Sequence, residues 1–132
     1  IPVIANGDIV DVKSAQLALE KSGADGIMVG RGAQGAPWRL AQISAALYGT
    51  PEPVVPRGAL LAKLIVGHHK AIVAFYGEKL GLKNARKHLG WYLNGLKPTP
   101  DLRQSLLRSL DISEIYQLIW QAVEYSQDEL AA

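Results

Sequence analysis

Two glycine-bearing triplets stand near the start of the chain, Asn6-Gly7-Asp8 and Gly30-Arg31-Gly32, each directly after a short apolar run. Glycine lets the main chain turn sharply and approach a ligand closely. Turns of this kind at the carboxyl ends of parallel strands present backbone N–H groups to an anion such as phosphate. Arg31 adds a guanidinium that can grip phosphate through two bonds, and Asn6 adds a side-chain amide. Either triplet alone is what an ordinary tight turn uses. Their separation of 24 positions, about one strand–helix–strand unit, sets them side by side. That is where a (β/α)-barrel binds phosphate, after its last two strands. The expected site comprises Asn6, Gly7, Asp8, Gly30 and Arg31.

A second constellation lies further on. Lys83, Arg86, Lys87 and Asn94 follow an i, i+3, i+4, i+11 spacing and share one side of a helix, with Lys79 just before it and His88, Trp91 and Tyr92 interleaved. A polar stripe beside aromatics suits an RNA contact that tracks phosphates. Residues 79–110 carry Lys79, Lys83, Arg86, Lys87, Lys97, Arg103 and Arg108 against Asp101 alone, inside a chain of net charge only +2. A basic block of this kind points to a polyanion. A solvated helix face balanced by the acids of residues 111–132 is the competing explanation, and Tyr92 reads as a core residue. His68 and His69 are adjacent, so their side chains diverge by about 100° and do not make the i, i+4 pair that a helical metal site uses. His68 is expected on the apolar face, hydrogen-bonded. No metal site is expected.

The elements that must position these groups follow from pattern and punctuation. Residues 2–5 and 27–29 read as parallel strands buried on both faces. Between them Asp11 caps a helix over about 12–22 that Gly23 ends. A β-α-β order with tight links forces a right-handed parallel crossover. A further helix runs from Pro37 to about Tyr48, closed by Gly49. Residues 51–57, rich in proline, form a linker. Helices are then expected over 58–76, about 82–94, 100–109 and 112–128. Leu61, Leu64, Ile65, His68, Ile72 and Phe75 form the inner face of the first, and Asp111 with Glu114 a capping box on the last. The fold class expected is α/β plus all-α. Residues 1–50 are expected to be β/α units, the last two of a TIM barrel if their glycine-bearing turns hold phosphate as such barrels do, and residues 58–132 a four-helix antiparallel bundle.

Composition is that of a globular chain, 48% hydrophobic and 20% charged over 132 residues. No uninterrupted apolar run reaches the roughly 18 residues of a membrane span, and no secretory leader is seen. Without cysteine, disulfides and thiolate chemistry are excluded within this stretch. The opening on a strand at Ile1 is expected of the C-terminal part of a longer protein.

These residues resemble a known family. Ile1 through Ile9, Asp25 through Ala33 and Gly35-Ala36-Pro37-Trp38 are similar to the end of the barrel in flavin-dependent tRNA-dihydrouridine synthases. Tyr76-Gly77-Glu78 and Arg86 through Leu93 resemble the helical-domain signature of the bacterial B-type branch. The resemblance runs to about residue 125. It implies an FMN-dependent oxidoreductase, recharged by NADPH, that reduces the C5–C6 bond of particular uridines in tRNA after flipping the base over the flavin. It implies FMN phosphate held by Asn6, Gly7, Asp8, Gly30 and Arg31, and tRNA contacted by Lys79, Lys83, Arg86, Lys87 and His88. It places the proton-donating cysteine and a flavin-contacting lysine on earlier barrel segments, so no catalytic residue is expected here. The chain alone should be inactive, with little affinity for FMN. Its partners are then tRNA, the missing part of the barrel, or a second copy through exposed strands. The expected location is cytoplasmic, with no membrane partner. An RNA-binding module without catalysis, and another FMN barrel such as a dihydroorotate-dehydrogenase-like enzyme, are the alternatives.

Overall fold

The computed structural model describes the main chain of residues 1–131 and the side chains of residues 1–127; the last residue of the expected helical region, Ala132, lies outside it. The chain divides into two units, Ile1–Val55 and Pro56–Ala132.

In the first unit, strand β1 (Ile4–Asn6) leads through helix α1 (Val12–Ser22) to strand β2 (Gly26–Met28). The strands pair in parallel, with Ile4 opposite Gly26 and Asn6 opposite Met28. Helix α1 starts where the sequence says it must. Asp11 accepts from Ser14 N–H at 2.7 Å while Ser14 Oγ accepts from Asp11 N–H at 3.0 Å, a complete capping box. Those bonds to Ser14 also lower the Asp11 pKa. Gly23 closes the helix in the left-handed region. A 3₁₀ turn, Arg31–Ala33, precedes α2 (Arg39–Tyr48). That helix begins two residues after Pro37 rather than at it.

The core of this unit is Ile9, Ala15 and Ile43, with Val12, Ala18, Ile27, Val29 and Leu47 packed around it. Alternation along the strands puts Ala5 and Ile27 on one face, and Ile27 packs against the helices. The opposite face leaves Ile4 and Met28 exposed. Among the described residues the sheet holds these two strands, so each has an edge with no strand beside it. Parallel sheets are ordinarily covered on both faces.

The second unit holds α3 (Gly58–Tyr76), α4 (Glu78–Leu96), α5 (Pro100–Arg108) and α6 (Ile112–Ala131). Helix α3 packs against α4 and α6, and α5 touches both α4 and α6. Ile65, Leu89, Leu93, Leu106, Ile115, Ile119 and Val123 are buried among them.

Three expectations are corrected. The inner stripe of α3 is Gly58, Ala62, Ile65 and His69, one position off the bulky series read from the sequence. Phe75, expected inside, is 81% exposed. Small residues decide where this helix meets its neighbours, because they allow the backbones closest together. Helix α4 begins at Glu78 rather than 82, since Gly77 (φ +76) turns the chain and the next helix starts at once. The Asp111 carboxylate caps α6 by accepting from Ser113 and Glu114 N–H groups. Glu114 does not return the bond to Asp111 N–H; it accepts from Ser109 Oγ, and Ser109 Oγ accepts from Asp111 N–H.

By length and composition alone α3 is long and apolar enough to cross a membrane, with 19 residues and a mean hydropathy of 1.3. That corrects the reading of the run as too short. Within the second unit it packs against α4 and α6, and its His69 is buried.

Candidate phosphate loops and candidate nucleic-acid interface

The parallel register ends β1 and β2 at the same edge, so the two glycine-bearing segments leave the sheet side by side. Gly7 (φ +141) and Asp8 (φ +47) both take positive φ, uncommon for Asp8. In the second segment Ala33 N–H bonds Gly30 O at 3.1 Å and Gln34 N–H bonds Arg31 O at 3.0 Å. The N–H groups of Arg31 and Gly32 stand ahead of the first bond of that turn, as at any helix start.

Gly32 locks the segments together. A Cβ there would lie 2.1 Å from Ile9 O and 2.9 Å from Val10 Cα, so only glycine allows this approach of main chain to main chain. Arg39 Nη1 holds Gly32 O from behind at 2.9 Å. Arg31 Nη2 donates to Asp8 Oδ1 at 2.8 Å, with the two side chains 83% and 86% exposed. Such an exposed pair is worth at most about 1 kcal/mol. The structure thus brings Gly7, Asp8, Gly30 and Arg31 together, and Asn6 ends the strand beside them. The Asp8–Arg31 pair and the Arg39 support were not read from the sequence. Arg39, at the first turn of a helix, carried no signal that it bends back to a carbonyl.

In the second unit an open groove of about 810 Å³ is lined by Lys83, Arg86, Lys87 and Asn94 of α4 and by Arg103 of α5, with Trp91 and Leu107 as apolar walls. Arg103 Nη2 donates to Asn94 Oδ1 at 3.0 Å, which fixes one charge at the rim. The helical spacing collected the α4 residues. Arg103 joins them from another element, a juxtaposition that helical spacing alone does not give. Lys79 lines a smaller recess at the α3–α4 corner, and Lys83 lines both.

His88 does not line the groove. Its ring meets His68 and Trp91 edge to face, with centroids 4.7 and 4.8 Å away. His68 Nδ1 and Tyr92 Oη share a hydrogen bond of 3.0 Å. Tyr92 is buried, which pushes its pKa up to about 12. His69 is 2% exposed and neither ring nitrogen has a partner; its ring stands edge-on to Tyr116 at 5.5 Å. Burial lowers the pKa of all three histidines, and the nearby charge of His68 lowers His69 and His88 further. Among the described residues no group of three His, Cys, Asp or Glu could hold a metal ion.

The family model described as "Dihydrouridine synthase (Dus)" matches residues 1–126. The chain belongs to the dihydrouridine synthase family. A probable tRNA-dihydrouridine synthase of Rhodobacter capsulatus is 50% identical over 131 residues, which is 99% of this chain and 39% of that protein. One of Rickettsia conorii is 50% identical over 103 residues, 78% of this chain and 31% of that protein. One of Mycobacterium leprae is 41% identical over 113 residues, 84% of this chain and 29% of that protein. The chain therefore spans well under half the length of these dihydrouridine synthase relatives. Both the glycine-bearing loops and the α4–α5 groove lie within the matched residues.

Proposed function

We propose that this chain supplies the last two β/α units of an FMN-binding TIM barrel and a helical, antiparallel tRNA-binding domain to a tRNA-dihydrouridine synthase. The observation that carries this is the cationic groove of α4 and α5 in a chain of that family. Four cations, Lys83, Arg86, Lys87 and Arg103, line one groove with an indole beside them. Cations give phosphate contact and a flat ring gives stacking. A small-molecule FMN enzyme of the dihydroorotate-dehydrogenase type has no use for such a surface.

The loops of the first unit fit the phosphate end of FMN. The forced contact at Gly32, the free N–H groups opening the 3₁₀ turn and the Arg31 guanidinium are what a phosphate needs. Asn6, Gly7, Gly30 and Arg31 would hold it, with the Asp8 side chain set behind Arg31. Asp8 would orient Arg31 rather than meet the anion, since a carboxylate repels phosphate. Bound there, FMN supplies hydride for reduction of a uridine C5–C6 bond, with NADPH as the reductant. The exposed sheet face with Ile4 and Met28 is then covered by the rest of the barrel or, failing that, by a second copy. Such an enzyme works in the cytoplasm, where tRNA is.

One observation favours a second reading for the chain on its own. It holds no cysteine, the proton donor that the family resemblance implies, so alone it binds tRNA without reducing it. Filter binding of the 132-residue chain to tRNA tests the common core of both readings. Association is expected at low salt, with log K falling against log salt at a slope of roughly −3 to −4 for four phosphate contacts. No association at low salt contradicts both.

A further inference from the structure

The corner between α3 and α4 carries two aromatic rings that the second unit does not bury. Phe75, the only phenylalanine in the chain, is 81% exposed and Tyr76 is 48% exposed. Their rings meet edge to face with centroids 4.8 Å apart, so they form one pair rather than two loose side chains. Leu80 beside them is 50% exposed. Clustered apolar exposure of this kind marks a binding surface, where scattered single residues do not. Next to the rings, Tyr76, Gly77, Glu78, Lys79, Leu80 and Lys83 line an open recess of about 430 Å³. Lys83 is shared with the basic groove, so recess and groove are contiguous.

We propose that this corner is a stacking platform for an unpaired RNA base, with Lys79 and Lys83 holding the phosphates that flank it. Charge and ring chemistry together choose this occupant. A purely apolar protein partner would not match two lysines at the edge of the patch. A duplex offers phosphates but no open base face. An unpaired nucleotide offers both, an apolar π-face next to an anion, and aromatic rings beside cations are how proteins take it. Glu78 is the one acid in the recess, and it sits in the first turn of α4, where the helix dipole stabilises it. The inference rests on the tRNA-binding reading and extends it from phosphates in the groove to a base at the corner.

The test uses the 132-residue chain and two probes, unfractionated tRNA and a fully paired RNA duplex, in filter binding across a salt series. The double variants are Phe75→Ala/Tyr76→Ala and Phe75→Leu/Tyr76→Leu, the second keeping apolar bulk without a π-face. Phe75 is largely and Tyr76 about half exposed, so far-UV circular dichroism should match the parent chain. Each double variant is expected to lose about tenfold in tRNA affinity, the loss of one base–ring stack. Duplex binding and the salt slope should not move, because no phosphate contact is removed.

Full tRNA affinity in the leucine variant would overturn the platform, and so would an equal loss on tRNA and duplex. Unchanged tRNA affinity in the alanine variant, while Arg86→Ala/Lys87→Ala still weakens binding, would also overturn it and leave the groove reading standing. No tRNA binding by the parent chain would sink both.

Discussion

Gly81→Ala should destabilise the second unit by about 1–3 kcal/mol, the range for forcing extra atoms into a filled contact. A Cβ at Gly81 would stand 2.6 Å from Val73 Cα and 3.2 Å from Ile72 O. Both are main-chain atoms of α3, so no side chain can swing aside and the two helices must separate. The α3–α4 contact is the seam that buries Ala62, Ile65, Ala85 and Leu89, and any separation loosens it. Gly67 in α3 is the control, because a Cβ there meets nothing within 4 Å. Gly67→Ala should gain about 0.5–1 kcal/mol, the helix preference of alanine over glycine. Thermal melts are expected to show Gly81→Ala lower by roughly 10 °C and Gly67→Ala higher by a few degrees. A Gly81→Ala melt equal to that of the parent chain would contradict the close approach.

Acid should loosen the same unit, and His69 should carry much of the effect. Its ring is buried with both nitrogens unpartnered, so its charged form finds no bond in the folded state. The groups around it are cationic or neutral. His68 and Lys70 flank it on α3, His88 contacts His68 from α4, and Tyr116 faces it from α6 with Lys70 Nζ 5.2 Å over the phenol ring. Burial holds the folded pKa of His69, His68 and His88 below the ordinary value of 6.5. The unfolded chain takes up protons around that value and the folded one only below it. Stability is therefore fully present above pH 6.5 and falls as pH drops from 6.5 toward the lowered folded values. Urea melts at pH 7.5 and 5.5 should show the loss. His69→Leu should shrink it and be neutral or stabilising at pH 7.5, since it removes two unsatisfied ring nitrogens. Equal stability at both pH values, or an undiminished loss in His69→Leu, would contradict this account.

Much of the local structure was legible because single residues announce it. Asp11, Gly23 and Gly49 fix helix ends through bonds between near neighbours, and both ends of α1 and the end of α2 fall where those residues say. The helical period gives the stripe of α6 as Ile115, Leu118, Ile119, Ala122 and Val123, and all but the half-buried Leu118 are buried. What failed needed knowledge of the neighbouring element. The expected start of α4 at about 82 missed its first turn, where Gly81 lets the main chain of α3 come close. His69 rather than His68 is the fully buried histidine because Gly58 and Ala62 turn their own side of α3 inward. On the candidate site, the spacing of Lys83, Arg86, Lys87 and Asn94 was readable within one helix. Arg103, which completes the groove, and Asp8, which pairs with Arg31, are juxtapositions across elements, and no pattern in the linear sequence encodes them.

The most direct measurement of the central claim is the salt dependence of tRNA binding by the chain and by Arg86→Ala/Lys87→Ala. Both side chains line the groove and both are exposed, so the variant should fold as the parent does. If they meet phosphates, affinity falls and the slope of log K against log salt flattens by about one to two units, one ion release lost per contact. The same slope and the same affinity in both proteins would mean that these charges face only water and that the groove is not where tRNA lies.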